Sequence, residues 1–184
     1  AQPWPSKSPG PVAAAPAQNT YYVGGRMRAD TTFGANPGAP VLDDPGGGSN
    51  WFAAPYDVTL RNFGAPLGPD ARDEGEDEVA SIALSDSGSA YALVLDGDAM
   101  RFDWTVRRLS DNVSDPPIVS LRRERGPGAA VTRDTLIAVE EDLLVAGSGD
   151  IVQEAGDGGG DPVLRDLDDG GMVITRVSAS PGSE

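Results

Sequence analysis

Alternation of apolar and polar residues is the clearest signal along the chain. It is strongest over residues 100–107, where every second residue is apolar and the residues between are polar or charged. A period of two predicts a β-strand with one buried face. Residues 90–95 are a continuous apolar run, which predicts a strand buried on both faces. Together with a strand over residues 79–84, these segments predict a three-stranded antiparallel meander over residues 79–109.

Weaker patterns predict further short strands. Residues 56–61 alternate between apolar and polar side chains, which indicates a half-buried strand. Residues 118–123, 151–152 and 172–177 are short runs rich in valine and isoleucine, bounded by turn-forming residues. Residues 21–28 either form the first strand of the core or present aromatic anchors to another surface.

Residues 134–146 fit two interpretations. Asp134 is a suitable N-cap for a helix with an apolar stripe of leucine and isoleucine. The same residues also fit two strands around a turn at residues 140–142, although that turn contains no glycine. The abundance of valine and isoleucine favours the two strands.

Proline and glycine set the predicted organisation of the chain. Residues 1–50 hold 8 of the 16 prolines and 8 of the 24 glycines, so we expect an extended Pro/Gly-rich N-terminal arm over residues 1–20. A single β-rich domain over residues 21–177 and a tail over residues 178–184 follow. The fold class predicted is all-β, an antiparallel β-sandwich or barrel. Long extended loops are expected in that domain, at residues 34–50, 64–78 and 156–171.

Aromatic and basic residues are the candidate partner contacts. Trp4, Tyr21 and Tyr22 lie in or beside the arm. A segment that acts only as a flexible spacer gains nothing from aromatic side chains, so these three residues are expected to contact another surface. The main basic cluster includes Arg122, Arg123 and Arg125, which could meet an acidic surface, including that of another copy. We expect the arm to be ordered by docking on a neighbouring subunit rather than to be a free tail.

Charge and missing residue types exclude several classes of function. The chain of 184 residues carries a net charge of −15, with 21 Asp, 8 Glu, 13 Arg and 1 Lys. This excess of negative charge argues against binding a phosphate backbone. No apolar run approaches the length of a membrane span, which is about 18 residues.

Cysteine and histidine are absent, which excludes disulfides, zinc fingers and histidine-based triads. The excess of Asp and Arg fits either adaptation to high salt or a GC-rich genome.

Two groups of carboxylates are candidates for chemistry. Asp86, in the sequence Ser-Asp-Ser-Gly, resembles the catalytic loop of aspartic proteases, which requires a second carboxylate to share a proton. Its residue types equally predict an ordinary hairpin turn, which we favour. A glycine-rich loop carries five further aspartates that could offer oxygen ligands to calcium, but their spacing does not match a calcium-binding loop. These weak candidate metal ligands are Asp157, Asp161, Asp166, Asp168 and Asp169.

These features lead to a structural rather than an enzymatic hypothesis. We expect a non-enzymatic subunit of a large symmetric assembly, with a tailed-virus particle as the setting and capsid decoration, tail or neck as the role. Its partners would be further copies and other subunits, such as major capsid or tail proteins, and it would be assembled in the host cytoplasm. No cofactor is expected, with calcium as the exception to test. The alternatives are an extracellular β-sandwich module that binds carbohydrate or calcium, and a small carboxylate-dependent hydrolase.

Overall fold

A computed structural model describes ten segments of the chain: residues 12–15, 19–69, 73–97, 101–110, 117–124, 134–140, 142–148, 151–154, 163–166 and 172–178. The regular elements in these segments are all β-strands, so the all-β prediction is confirmed. In chain order the strands are β1 (Val12–Ala15), β2 (Thr20–Met27), β3 (Thr31–Thr32), β4 (Val41–Leu42), β5 (Gly47–Asp57), β6 (Asn62–Phe63), β7 (Asp73–Glu76), β8 (Glu78–Leu84), β9 (Ala90–Gly97), β10 (Arg101–Arg108), β11 (Val119–Glu124), β12 (Thr135–Val139), β13 (Asp142–Ser148), β14 (Ile151–Glu154), β15 (Val163–Asp166) and β16 (Met172–Ser178).

The described strands form three main sheets and one small hairpin. The central sheet has the order β15-β14-β11-β10-β9-β8, and each neighbouring pair is antiparallel. The N-terminal sheet has the order β1-β2-β5-β6, and β7 also pairs with β5 in parallel. The C-terminal sheet has the order β12-β13-β16, and β3 pairs with β4 as a separate hairpin.

The central sheet is covered on both faces. Leu93 and Trp104 on one face pack with Leu143 and Val145 of the C-terminal sheet, and we call this cluster the first core. The opposite face packs against the N-terminal sheet in a second core, whose members include Trp51, Ala53, Ala92 and Val94. Alternate residues of β9 therefore belong to different cores, as the pleat of a strand requires.

A third, smaller core lies on the outer face of the N-terminal sheet. Met27, Phe33, Phe52 and Ala54 are buried there, and Leu42 packs against them. The Phe33 and Phe52 rings meet edge to face with their centroids 5.3 Å apart. The hairpin of β3 and β4 thus covers one end of this face, which completes a stack of layers.

Two glycines allow the layers to approach closely. A Cβ atom on Gly24 of β2 would lie 2.6 Å from Val79 Cγ1 of β8, well inside van der Waals contact. A Cβ atom on Gly147 of β13 would lie 2.5 Å from Trp104 Cζ2 and would also overlap the carboxylate of Asp134. Neither position has room for a larger side chain.

Several strand predictions are confirmed. Strands β8, β9 and β10 form the antiparallel meander expected over residues 79–109, and Trp104 is fully buried. The run over residues 90–95 is covered on both faces. Residues 134–146 form the two strands β12 and β13, joined by a turn in which Glu140 takes the positive φ of 57° that glycine usually supplies.

Four boundaries were wrong. The strand predicted over residues 56–61 ends at Asp57, because the alternation of Val58 and Leu60 continues into a turn. The loop predicted over residues 34–50 contains β4 and the start of β5, and that over residues 64–78 contains β7 and the start of β8. The loop predicted over residues 156–171 contains β15, which pairs with β14.

The N-terminal arm also contains a strand. Residues 12–15 form β1, whose residue Ala14 is the antiparallel partner of Tyr21 in β2. Pro11 and Pro16 bracket this strand, and it lies at the edge of the described N-terminal sheet, where a missing amide donor is tolerated. Residues 1–11 and 16–18 lie outside the described residues, so whether the arm docks stays a prediction.

Candidate functional site

The outer face of the C-terminal sheet is an exposed apolar surface. Strand β12 alternates between Leu136, which is buried in the first core, and Ile137 and Val139, which are 49% and 50% exposed. Ile174 on β16 is 59% exposed. A single exposed apolar side chain is common on a protein surface, but several that adjoin on one face are informative. We call this surface the C-face, and it comprises Thr135, Ile137, Val139, Asp142, Leu144, Ala146, Ile174 and Arg176.

Strand register places the C-face residues side by side. Ile137 lies opposite Leu144, which lies opposite Arg176, while Ala146 lies opposite Ile174. Cross-strand neighbours on one face have their Cβ atoms about 5 Å apart, so the apolar side chains form one continuous patch.

The C-face carries a balanced pair of charges. Arg176 Nη2 donates a hydrogen bond to Asp142 Oδ2, which closes an ion pair across β13 and β16. The other six residues of the C-face are uncharged, so its net charge is zero. The whole chain carries −15, so this patch is much less repulsive toward an acidic surface than the average of the molecule.

A second exposed apolar surface lies at one end of the N-terminal sheet. Tyr21 on β2 and Val58 in the turn after β5 are 43% and 42% exposed, and Leu60 at the tip of that turn is 69% exposed. We call these three residues the turn patch. Tyr22 packs toward the second core, so its neighbour Tyr21 points to the opposite, outer side of the sheet.

Backbone hydrogen bonds hold the turn patch in place. The Val58 amide donates to the Asn19 carbonyl at 2.9 Å, and the Leu60 amide donates to Asp57 Oδ1 at 2.8 Å. Arg61 closes the turn with a φ of 54°. Because strands anchor both ends of the turn, its backbone is held in one conformation and Leu60 has a defined position on the surface.

A polar network lies at the other end of the N-terminal sheet, where β7 joins β5. Arg28 Nη2 donates to both carboxylate oxygens of Glu76, at 2.8 and 2.6 Å, and Ser49 Oγ donates to Glu76 Oε2 at 2.8 Å. The Ser49 hydrogen bond, followed by that from Arg28, holds the pKa of Glu76 below its ordinary value of 4.5. The network attaches the short strand β7 to its neighbours.

The predicted partner contacts are not brought together in the described residues. Tyr21 is exposed in the turn patch, whereas Tyr22 is half-buried against the second core. Arg122 and Arg123 lie on β11, opposite Asp103 and Phe102 of β10. Trp4 and Arg125 lie outside the described residues.

Two neighbouring arginines of the same basic region contact aromatic rings. The guanidinium carbon of Arg107 lies 6.0 Å from the ring centre of Trp51, and that of Arg108 lies 5.6 Å from the ring centre of Tyr91. These cation–π contacts link β10 to the second and the first core respectively.

Asp86 lies at the exposed tip of the β8–β9 hairpin. The Ser85 amide donates to the Ser89 carbonyl at 3.0 Å, and the Gly88 amide donates to the Ser85 carbonyl at 2.9 Å. Gly88 takes a φ of 84°, which suits glycine in a tight turn. This geometry matches the hairpin-turn interpretation of these residues.

The candidate calcium ligands fall largely outside the described residues. Asp166 is the last residue of β15 and pairs in register with Ile151, and this strand divides the predicted acidic loop. Asp157, Asp161, Asp168 and Asp169 lie outside the described segments. Within those segments, no group of three acidic side chains is placed to hold a metal ion. The described part of the chain also contains no helix long and apolar enough to cross a membrane.

Sequence reasoning missed the C-face. Residues 136–139 are apolar at every position, so periodicity alone does not distinguish a buried from an exposed set. The sequence did contain one indication of the C-face: residues 136–139 and 143–146 are apolar at every position, which is more than a strand with one buried face requires.

Comparison with known proteins gives no relative from which function can be transferred. The chain matches no protein family, no curated protein and no solved structure.

Proposed function

We propose that this protein is a non-enzymatic structural subunit that bridges neighbouring subunits in a large symmetric assembly. The supporting observation is the presence of two separate exposed apolar surfaces, the C-face and the turn patch, on different sheets. A subunit that joins two neighbours needs two contact surfaces, and a protein with one ligand site needs only one. Exposed apolar patches of this kind mark contacts with other proteins.

The positions of the two surfaces favour an extended assembly. The C-face lies on the outer side of the C-terminal sheet, and Tyr21 points outward from the N-terminal sheet, with the central sheet between them. Contacts on opposite outer layers let one subunit join two others without steric conflict. Repetition of such contacts generates rings, tubes or shells, depending on the rotation between subunits.

The proposed setting is a virus particle of the tailed type, assembled in the host cytoplasm, with further copies and capsid or tail subunits as partners. The Pro-rich N-terminal segment supports this setting, because such a segment can gain order by docking on a neighbouring subunit. A surface carrying −15 disfavours nucleic acid as the partner, because binding phosphates requires a basic face.

Light scattering of the full chain at low and high salt, over a wide range of protein concentration, tests the proposal. We expect species larger than 19.0 kDa that grow with concentration. Leu60→Asp in the turn patch and Ile137→Asp in the C-face should each reduce the mass, because each places a charge in one contact. Ser87→Asp, at the exposed tip of the β8–β9 hairpin, adds the same charge outside both surfaces and is the control, which should assemble like the wild type. A constant 19.0 kDa species in all conditions would contradict the proposal.

A further inference from the structure

We propose that the C-face is the contact between two copies of this chain, related by a twofold axis. This inference rests on the proposed function and names the partner of one of its two surfaces. The C-face combines exposed Ile137, Val139 and Ile174 with one internal ion pair, and nothing in its composition calls for a partner of opposite charge.

Charge balance favours a second copy as the occupant. A contact between identical surfaces brings two equal net charges together, so two copies of an acidic chain meet at the lowest electrostatic cost where the net charge of the patch is close to zero. The C-face has zero net charge on a chain of −15. A basic partner would instead gain most from the acidic remainder of the surface.

The ion pair is also self-complementary. Asp142 on β13 and Arg176 on β16 form this pair, and the apolar side chains occupy the rest of the C-face. In a twofold contact, each copy presents one carboxylate and one guanidinium, so the pairs can remain internal or exchange partners with no charge left unpaired. The apolar residues of one copy meet those of the other, as sheets do when they pack face to face.

The size of the C-face sets the strength of the contact. Three strands of five to seven residues, spaced about 4.8 Å apart and rising about 3.3 Å per residue, span a footprint of roughly 300 Å². Stable dimers bury about 800 Å² per partner, so this contact alone is weak. Several weak contacts acting together are what an assembly subunit requires.

The absence of cysteine makes this contact directly testable. Ile174→Cys places a single thiol on the C-face, and Ser87→Cys, the matched control, places one at the exposed tip of the β8–β9 hairpin, outside both apolar surfaces. Both variants are first titrated with a maleimide dye at a dilution where light scattering shows a monomer, which measures thiol access in the single chain. Concentrated samples are then treated with a short bismaleimide. We expect both thiols to react with the dye, and only Ile174→Cys to yield a covalent dimer of twice the monomer mass.

Each other outcome has a defined meaning. An Ile174→Cys thiol that resists the dye would show that the chain's own residues cover the C-face, and would overturn the inference. Equal cross-linking of both variants would also overturn the inference, because it would show that the chains are linked by random collision. If the wild type forms large species but Ile174→Cys gives no covalent dimer, the twofold contact is refuted and the proposed function stands. If the wild type is always monomeric and no covalent dimer is trapped, the twofold contact and the proposed function are both refuted.

Discussion

Substituting Gly147 with alanine should destabilise the protein by removing the space between two layers. Gly147 lies on the inner side of β13, and an added Cβ would stand 2.5 Å from Trp104 Cζ2 and overlap Asp134. Both neighbours are buried, Trp104 completely, so neither can swing into solvent. The sheets would have to separate locally, or Trp104 would have to leave its rotamer.

The magnitude follows from two opposing effects. Overpacking of a tight core costs about 1–3 kcal/mol. Alanine restricts the unfolded chain, which returns about 0.4–1 kcal/mol. The midpoints of these ranges give a net loss of about 1.3 kcal/mol, which corresponds to a fall in Tm of about 3–5 °C for a chain of this length.

Urea unfolding of Gly147→Ala, Trp104→Phe and the double variant measures the effect. Phenylalanine lacks the Cζ2 atom, so alanine should cost less in the Trp104→Phe background. Gly38→Ala is the control: Gly38 has a φ of 83° and no atom within 4 Å of an added Cβ, so its cost is confined to the backbone. The loss of stability caused by Gly38→Ala should therefore be the same in the wild-type protein and in the Trp104→Phe variant.

Two results would refute the reasoning. The first is a Gly147→Ala variant that unfolds at the urea concentration of the wild type. The second is a coupling energy between Gly147→Ala and Trp104→Phe within about 0.5 kcal/mol of zero, which is the additivity expected of distant sites.

Three further predictions concern single groups and total charge. Because its pKa is lowered in the fold, ionised Glu76 stabilises the protein above pH 4.5, and this contribution is lost as pH falls through the lower folded-state pKa. Glu76→Gln should therefore lower the urea midpoint at pH 7, with the difference from wild type disappearing in acid; an equal difference at every pH would contradict this. Glu140→Gly should raise the free energy of unfolding by about 0.5 kcal/mol, since glycine accepts the φ of 57° without strain, and a lower Tm would argue against that backbone. Raising NaCl from low to molar concentration should raise Tm, because repulsion within a chain of −15 is screened, and a Tm independent of salt would show that this repulsion is negligible.

Strand prediction succeeded where one local pattern decides the structure. Trp104 and Val106 alternate with Thr105 and Arg107, and the meander of β8, β9 and β10 pairs strands that are adjacent in sequence. Such pairings need only short turns, whose residue types are visible in the sequence.

Prediction failed where pairing depends on residues far along the chain. Strand β7 is made of Asp73–Glu76, an acidic and glycine-containing segment that pairs in parallel with β5. Its place depends partly on Glu76 meeting Arg28 and Ser49, contacts that no local pattern reveals. Strand β15 was missed for a different reason: the glycines and aspartates on both sides of Val163–Asp166 predict a loop, although its partner β14 is the preceding strand.

The candidate site was predicted only in part. Tyr21 and Tyr22 were both predicted to contact a partner, and this stays a prediction. Tyr21 is exposed, whereas Tyr22 packs inward because neighbouring residues of a strand face opposite sides. No role was predicted for the apolar residues of the C-face, because β12 and β13 carry apolar residues on both faces. Only the stacking of sheets shows that the first core uses the other side of β12, β13 and β16.

The path of the chain between layers has a consequence for synthesis on the ribosome. After β11 in the central sheet, the chain enters the C-terminal sheet for β12 and β13, returns to the central sheet for β14 and β15, and ends in the C-terminal sheet with β16. The nascent chain cannot close the side of Leu93 and Trp104 until β16 has emerged. About 70 residues separate Leu109 from Ser178, so at about 5–20 residues per second this surface stays open for roughly 4–14 s. Translation speed and chaperone supply should therefore affect the yield of this protein, because an apolar surface that stays open promotes aggregation.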